Sequence, residues 1–108
     1  MSPSTCTYDS MYVEFEWDAN NESKPIRHGL SRAEVEEAMT DPNALAFPPR
    51  EEAHEVRYGL VGLTGSSRRV VVVVYVIRPD NVRRVVTAYP ARRRVERTYQ
   101  ERNPDYDD

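Results

Sequence analysis

The pattern of apolar and polar residues along the chain predicts four β-strands. The first is Tyr12–Trp17, where every second residue is apolar. Three more follow in quick succession, at Glu55–Thr64, Arg69–Ile77 and Val82–Tyr89. The valine run in the middle one shows no alternation, which indicates a strand buried on both faces. Short turns separate these three strands, so they should form an antiparallel meander.

Two helices are predicted between the first strand and the second. Asp18 is placed to cap the first helix, and Gly29 is placed to end it. Pro25 lies inside this segment, so we expect the helix to break or shorten near Lys24. Ser31 opens the second helix with a capping box, in which a glutamate follows three residues later.

Prolines mark the remaining boundaries. Residues 42–54 contain three of them and are interpreted as an irregular connection. Pro90 fits the first turn of a last helix, which should run to about Arg102. The resulting order is β-α-α-β-β-β-α. The predicted fold class is therefore α+β, a small antiparallel sheet with helices packed on it.

Length and composition narrow the class of protein. The 108 residues suffice for one domain, expected over residues 11–103, between a flexible leader at residues 1–10 and an acidic tail at residues 104–108. The one cysteine, Cys6, excludes an intrachain disulfide. We see neither a signal peptide nor an apolar run long enough to span a bilayer. The expected location is the cytoplasm, without a membrane partner.

The net charge of −3 conceals an asymmetry along the chain. Residues 1–67 carry five basic and twelve acidic side chains, whereas residues 68–102 carry ten arginines against three acidic side chains. This local excess predicts a phosphate-binding surface, although a solvated helix face with charged strand edges explains it equally well. Fourteen of the fifteen basic residues are arginine, which suits bidentate phosphate contacts or reflects a GC-rich genome.

The sequence lacks the residue patterns that several common kinds of catalytic or binding site require. His28, His54 and Cys6 give no cluster with metal-ligand spacing. No glycine-rich phosphate loop and no nucleophile elbow is present. Catalysis would rely on arginine, histidine, tyrosine, threonine and carboxylates, without a cofactor. Cleavage of RNA by its own 2′-hydroxyl suits that set, because it needs proton transfer and cations around the phosphorane.

The end of the last strand carries the main site candidates. With a period of two, Arg83, Val85, Thr87 and Tyr89 share one face. The next helix starts with three arginines that oppose its dipole and that an anionic ligand would explain: Arg92, Arg93 and Arg94. The alternative is that the strand residues are ordinary and the arginines face solvent.

Arg57 and His28 are further candidates. Arg57 shares a strand face with Gly59 and Val61, where it either presents its guanidinium to a substrate or pairs with a carboxylate such as Glu55. Histidine suits proton transfer near neutral pH. A lone histidine before a glycine is, however, more often a residue that simply ends a helix.

The order and spacing of these motifs resemble the BrnT family of type II toxins. In the first half the resemblance rests on Phe15-Glu16-Trp17-Asp18, Asn21, Lys24, His28-Gly29, Ser31 and Asp41-Pro42. In the second half it rests on Glu55-Val56-Arg57, Gly62-Leu63, Ser66-Ser67-Arg68, the valine strand, Arg83 to Ala88 and Ala91 to Tyr99. It covers Tyr12 to Arg102.

The resemblance implies a RelE/ParE-like fold, a ribonuclease that halts translation and a cognate antitoxin. Such an antitoxin is typically a small DNA-binding protein that represses the shared operon, so DNA would be contacted only through it. On matching positions, Arg57 and the cluster at Arg92 are implied as phosphate contacts, and His28 as an acid–base group. Thr87 would position the RNA, with Arg83, Arg93 and Arg94 as further substrate contacts.

The chain departs from the family pattern in two places. Many members have an arginine where this chain has Tyr89-Pro90, so Tyr89 is the candidate replacement. The first helix usually carries more basic residues than Lys24 and Arg27, which leaves only these two for RNA at that edge.

Two other interpretations stay open at this point. One is a RelE/ParE-fold module without nuclease activity, which inhibits a protein target such as gyrase or only joins the antitoxin in repression. The other is an RNA-binding accessory domain, which the acidic first half disfavours because uniform phosphate binding needs a basic surface. An exposed edge strand, Tyr12–Trp17 or Val82–Tyr89, is expected to be available for pairing with a partner.

Overall fold

The computed structural model describes residues 14–103, so the predicted leader, the start of the first strand and the acidic tail lie outside the described residues. The elements in chain order are β1 (Phe15–Glu16), α1 (Ala19–Arg27), α2 (Arg32–Met39), β2 (Leu45–Glu52), β3 (Glu55–Leu63), β4 (Val70–Arg78), β5 (Val82–Pro90) and α3 (Arg93–Arg102). A short 3-10 turn, Pro79–Asn81, joins β4 to β5. The fold class is α+β, as predicted.

The sheet is mixed rather than antiparallel, with strand order β1-β5-β4-β3-β2. β3, β4 and β5 form the predicted antiparallel meander. β1 is parallel to β5, with Phe15 opposite Arg83. No hairpin connects these two strands, so nothing forces them to be antiparallel. β1 is an edge strand, which confirms the first of the two predicted alternatives for the described part of Tyr12–Trp17. β5 lies between β1 and β4, so the alternative prediction of Val82–Tyr89 as the edge is wrong, although β1 pairs with β5 only at Arg83 and Arg84.

A fourth strand after the helices corrects the prediction of an irregular connection at residues 42–54. Leu45–Glu52 pairs with β3, and the register shifts between Phe47 and Arg50, where two prolines intervene. Proline has no backbone donor, so it is tolerated at a sheet edge or in a bulge, and both apply here. The turn Ala53-His54 has two positive φ angles, as tight hairpin turns require.

The first helix continues through its proline. α1 extends to Arg27, so the predicted break near Lys24 is wrong. The ring of Pro25 is fully buried, and this burial outweighs the lost backbone hydrogen bond in the last turn. The predicted cap is confirmed, because the Asp18 side chain accepts hydrogen bonds from backbone N–H groups of the first turn. Gly29 follows the helix with a φ of +80°.

The other two helices begin at different kinds of residue. Ser31 and Glu34 form the predicted capping box, each side chain accepting from the other's backbone N–H at 3.1 and 3.0 Å. The last helix begins at Arg93 rather than at Pro90. Pro90 is still a strand residue opposite Val71, because the strand ladder extends past it through the N–H of the next residue. Its predicted place in a helical turn is therefore wrong.

Helices cover both faces of the sheet, which we name the α2 face and the α3 face. The core of the α2 face consists of Leu30, Val35, Ala38, Leu60, Val71, Val73, Tyr75, Val85 and Ala88. The core of the α3 face consists of Val61, Val70, Val72 and Tyr99. Successive valines of β4 thus enter opposite cores, which confirms the predicted burial on both sides. None of the three described helices has the length and apolar character needed to cross a membrane.

Candidate active site

A β-bulge in β5 changes the direction of its side chains. Val74 lies opposite Thr87, whereas the next residue of β4, Tyr75, lies opposite Val85. Val86 is therefore the extra residue of the bulge. Directly paired residues point to the same face, so the two sides of the bulge present opposite faces.

The bulge overturns the prediction that four residues of β5 share one face. Val85 is fully buried in the core of the α2 face, while Thr87 and Tyr89 lie on the α3 face. Arg83 stays on the side of Val85, where its guanidinium carbon lies 5.6 Å from the ring centroid of Tyr75. The structure therefore gives no support for Arg83 as a substrate contact.

A groove of about 550 Å³ lies on the α3 face and draws on four strands. Its lining consists of Phe47, Pro48, Arg50, Glu52, Arg57, Tyr58, Gly59, Val72, Val74, Val86, Thr87 and Tyr89. Arg57 belongs to β3 and Thr87 and Tyr89 to β5, so residues from both sides of β4 line the same groove. The valines supply an apolar floor between polar ends.

The aromatic wall of the groove depends on a glycine. Phe47 is 39% exposed, and a Cβ added to Gly59 would lie 2.9 Å from its ring. The missing side chain therefore lets the ring lie against β3. An exposed aromatic ring next to a cation is suited to stacking on an unpaired RNA base.

Arg57 lies in the groove and is paired there with two carboxylates. Its Nη1 is 3.1 Å from Oε1 of Glu52, and its Nε is 3.3 Å from Oε2 of Glu55. The predicted pairing with Glu55 is therefore confirmed, and Arg57 also lines the groove. Pairs this exposed contribute at most about 1 kcal/mol. A phosphate that offers two charge-assisted hydrogen bonds can displace them.

His28 meets Tyr89 at the edge of the sheet. The ring centroids are 6.2 Å apart and the planes make an angle of 63°, an edge-to-face contact. His28 ends α1, and the carbonyl of Gly29 after it accepts a hydrogen bond of 2.7 Å from Arg69. Arg69 also pairs with Glu34 at 3.0 Å. This clamp fixes the loop that carries the histidine.

The clamp includes the most perturbed carboxylate of the described residues. Hydrogen bonding to the backbone N–H of Ser31 lowers the pKa of Glu34 to about 2, with further contributions from Ser67 and Arg69. The charged form of Glu34 is therefore strongly preferred in the folded protein.

The arginine cluster follows the groove without lining it. Arg92 is the N-cap of α3 and makes no side-chain capping bond, and Arg93 and Arg94 are exposed in the first turn. Three residues of chain span at most about 11 Å, so Arg92 stays close to Tyr89. The cluster is thus placed at the end of the groove formed by β5.

A second, smaller groove of about 210 Å³ borders the first. It is lined by Asn20, Asn21, Lys24, Glu55, Arg57, Arg84, Val85 and Val86. Arg57 and Val86 line both grooves, so the two are continuous at these residues. Lys24 is thereby brought to the site, whereas Arg27 is exposed in the last turn of α1 and lines neither groove.

Arg84 is held by the acidic residues around the first strand. It lies 3.0 Å from Asp18 and 3.3 Å from Glu16. The hydrogen bond that Arg84 donates to Asp18 raises the pKa of Arg84, and the same contact lowers the pKa of the Asp18 carboxyl. Both groups therefore remain charged. Their pair ties the start of α1 to β5, and the contact with Glu16 ties β1 to β5.

Sequence reasoning missed several groove residues for an identifiable reason. Phe47, Arg50 and Glu52 lie on β2, which the prolines hid. The alternation of Arg50 and Glu52 was the available signal. Among residues 14–103, no three histidine, cysteine, aspartate or glutamate side chains are grouped so that they could hold a metal ion.

The fold and the groove define a small α+β domain that combines an arginine with hydroxyl groups in a cleft suited to a phosphate ester. A profile of the family described as the ribonuclease toxin BrnT of type II toxin-antitoxin systems matches residues 17–94. The match covers more than half of the chain, and the chain belongs to this family of ribonuclease toxins. The resemblance found in the sequence is thereby confirmed. None of the curated proteins matches the chain.

Proposed function

We propose that this toxin cuts RNA internally and without a metal ion, in the groove that contains Arg57, Thr87 and Tyr89, and thereby halts translation. One observation supports the proposal: Arg57 of β3 and two hydroxyl side chains of β5 line the same groove, on either side of β4. Arginine and hydroxyl groups in one cleft supply the charges and protons that cleavage at a 2′-hydroxyl requires.

The proposed step is a transesterification within the RNA. The 2′-hydroxyl loses its proton, its oxygen attacks the adjacent phosphorus, and the bond from phosphorus to the 5′ oxygen breaks. The 5′ oxygen takes up a proton, so the products are a 2′,3′-cyclic phosphate and a 5′-hydroxyl. Arg57 and Arg92 would neutralise the extra negative charge on the phosphorane, since guanidinium groups match phosphate oxygens in pairs.

Proton transfer would fall to the residues at the edge of the sheet. Tyr89 would orient the 2′-hydroxyl or donate a proton, and Thr87 would position the substrate. The contact between His28 and Tyr89 supports His28 as the second acid–base group. Among the remaining basic residues, Lys24 is supported by its place in the smaller groove. Arg27, Arg93 and Arg94 are proposed as flanking phosphate contacts on their exposure alone.

The partners follow from the family. A type II toxin has an antitoxin. We propose that the antitoxin of this chain is a small DNA-binding protein, and that the toxin contacts DNA only through it. The RelE/ParE-like fold is part of the same proposal, supported by the α+β meander. A toxin that acts on translated RNA works in the cytoplasm.

The test uses the purified chain, freed of its antitoxin, with single-stranded RNA in EDTA. Wild type should release fragments that end in a cyclic phosphate. Arg57→Ala should lower the rate by about 10²–10³ and Tyr89→Phe by about 10²–10⁴. Arg78→Ala is the matched arginine control, because Arg78 is also paired with a glutamate but lies outside the groove. Tyr75→Phe is the tyrosine control on the opposite face.

Three results would contradict the proposal. Cleavage that returns only on addition of metal would exclude metal independence. Cleavage by Arg57→Ala and Tyr89→Phe at the wild-type rate would exclude the proposed site. Growth arrest with intact cellular RNA would favour a binding module without nuclease activity.

A further inference from the structure

The side chain of Asn21 is buried where β1 ends beside β5. It is 4% exposed and makes three hydrogen bonds. Nδ2 donates to the carbonyl of Val85 at 2.8 Å and to the carbonyl of Glu16 at 2.9 Å. Oδ1 accepts from the backbone N–H of Asp18 at 2.7 Å. All the hydrogen-bonding groups of the amide except one lone pair are used.

These bonds join the first helix to the bulge. β1 pairs with β5 only at two positions, the last being Glu16 opposite Arg84. Val85 is the next residue of β5, and its carbonyl is bound by the Asn21 amide instead of a strand neighbour. The bulge begins immediately after that carbonyl, at Val86. The amide therefore fixes the last backbone group before the chain changes face.

We infer that Asn21 is a positioning residue, which sets the orientation of Thr87 and Tyr89 by holding the bulge of β5. It acts through the backbone at Val85, two residues before Thr87. The inference rests on the proposed nuclease function for its kinetic consequence, but its structural part does not. A bulge without this bond can relax toward regular pairing, which rotates the following side chains away from the groove.

The expected kinetic signature is a loss of kcat rather than a change in KM. The phosphate contact of Arg57 lies on another strand and stays in place. Misplacement of reacting groups by about 1 Å can cost about 10²-fold in rate. We therefore expect Asn21→Ala to lower kcat by about 10- to 100-fold while KM changes by less than about threefold.

The experiment compares Asn21→Ala and Asn21→Ser with Asn43→Ala. Serine keeps one hydrogen-bond donor, so its loss of kcat should be smaller. Asn43 is the matched control, because it is an exposed asparagine that lines neither groove. All rates are measured well below each variant's Tm and normalised to folded protein. A merely structural role would then leave kcat per folded molecule unchanged and overturn the inference.

A second measurement separates this inference from the nuclease proposal. Amide chemical shifts of Thr87 and Tyr89 are recorded by NMR for each variant, without RNA. Shifts that move in the Asn21 variants and not in Asn43→Ala support the positioning role, even if the wild type cleaves no RNA. Unmoved shifts overturn it. Unfolding of both Asn21 variants also overturns it, because Asn21 would then serve the stability of the whole fold.

Discussion

The guanidinium of Arg57 is held by Glu52, with 3.1 Å between Nη1 and Oε1. Both side chains line the groove in which the RNA phosphate is proposed to bind. Substrate and carboxylate therefore compete for the same cation. The affinity for RNA should therefore depend on the strength of the ion pair between Arg57 and Glu52.

Neutralising this competitor should strengthen RNA binding. Glu52→Gln should lower KM about two- to fivefold, because an exposed ion pair contributes at most about 1 kcal/mol. Glu51→Gln removes the same charge from the same strand but outside the groove. Steady-state cleavage at fixed salt compares the two. Equal effects would assign the change to net charge and not to the release of Arg57.

Lys24 and Arg27 provide a test of how far the RNA extends. Lys24 lines the smaller groove that joins the main one at Arg57, and Arg27 does not. Lys24→Ala should weaken RNA binding and reduce the salt dependence of log Kd by about one phosphate contact. Titrations at several salt concentrations measure this slope. A larger loss with Arg27→Ala would place the RNA on the outer side of α1 instead.

The two histidines should differ in their effect on catalysis. His28 contacts the ring of Tyr89, whereas His54 lies in the exposed turn between β2 and β3. His28→Gln should lower kcat by about 10²–10⁴. His54→Gln should leave kcat as in wild type. An unchanged kcat in His28→Gln would leave Tyr89 without this acid–base partner.

Glu34 should make the stability of the fold depend on pH in the acidic range. Its pKa is lowered from 4.5 to about 2, so the folded state favours the carboxylate more than the unfolded state does. The resulting stabilisation is complete above pH 4.5 and disappears as the pH falls toward 2.

The size of this effect can be measured by urea unfolding at pH 6 and pH 3. Glu34→Gln should lower the free energy of unfolding by about 1–3 kcal/mol at pH 6, and the difference from wild type should shrink at pH 3. Glu51→Gln is the control on an exposed strand. If Glu34→Gln lowers the free energy of unfolding equally at pH 6 and at pH 3, the substitution has removed packing contacts and not a charge interaction.

Gly62 should tolerate no side chain. A Cβ at this position would overlap the carbonyl oxygen of Ala38, where β3 passes directly beneath α2. Gly62→Ala should therefore destabilise the protein by about 1–3 kcal/mol. Gly65→Ala is the control, because nothing lies within 4 Å of its Cβ, and it should change stability by less than about 0.5 kcal/mol. Thermal unfolding of both variants is the measurement. Equal losses of stability would mean that replacing any glycine has this effect, and that the close contact between β3 and α2 is not the cause.

Features that depend on neighbouring residues were predictable from the sequence. The capping box of Ser31 and Glu34, the cap at Asp18 and the doubly buried valine strand all formed as expected. Arg57 lies on the same face of β3 as Gly59, as the alternation of side chains along a strand predicted. The family, too, was recognisable from residues at fixed spacing along the chain.

The sequence did not determine features that depend on pairing between distant segments. β2 exists because it pairs with β3 in spite of its prolines, and β1 is parallel because it meets β5 from the far end of the chain. The burial of Pro25 sustains a helix that its local propensity would end. In each case tertiary contacts outweigh a local preference of a few kcal/mol.

The same distinction applies to the site. The sequence by itself determined which residue types were available for phosphate chemistry, because charge and hydroxyl content are read directly from it. The tertiary structure alone decided that Thr87 and Tyr89 line the same groove as Arg57 while Val85 faces the opposite core. The physical reason is the bulge at Val86: one unpaired residue reverses every side chain after it, and the hydrogen bonds that hold it come from other segments of the chain.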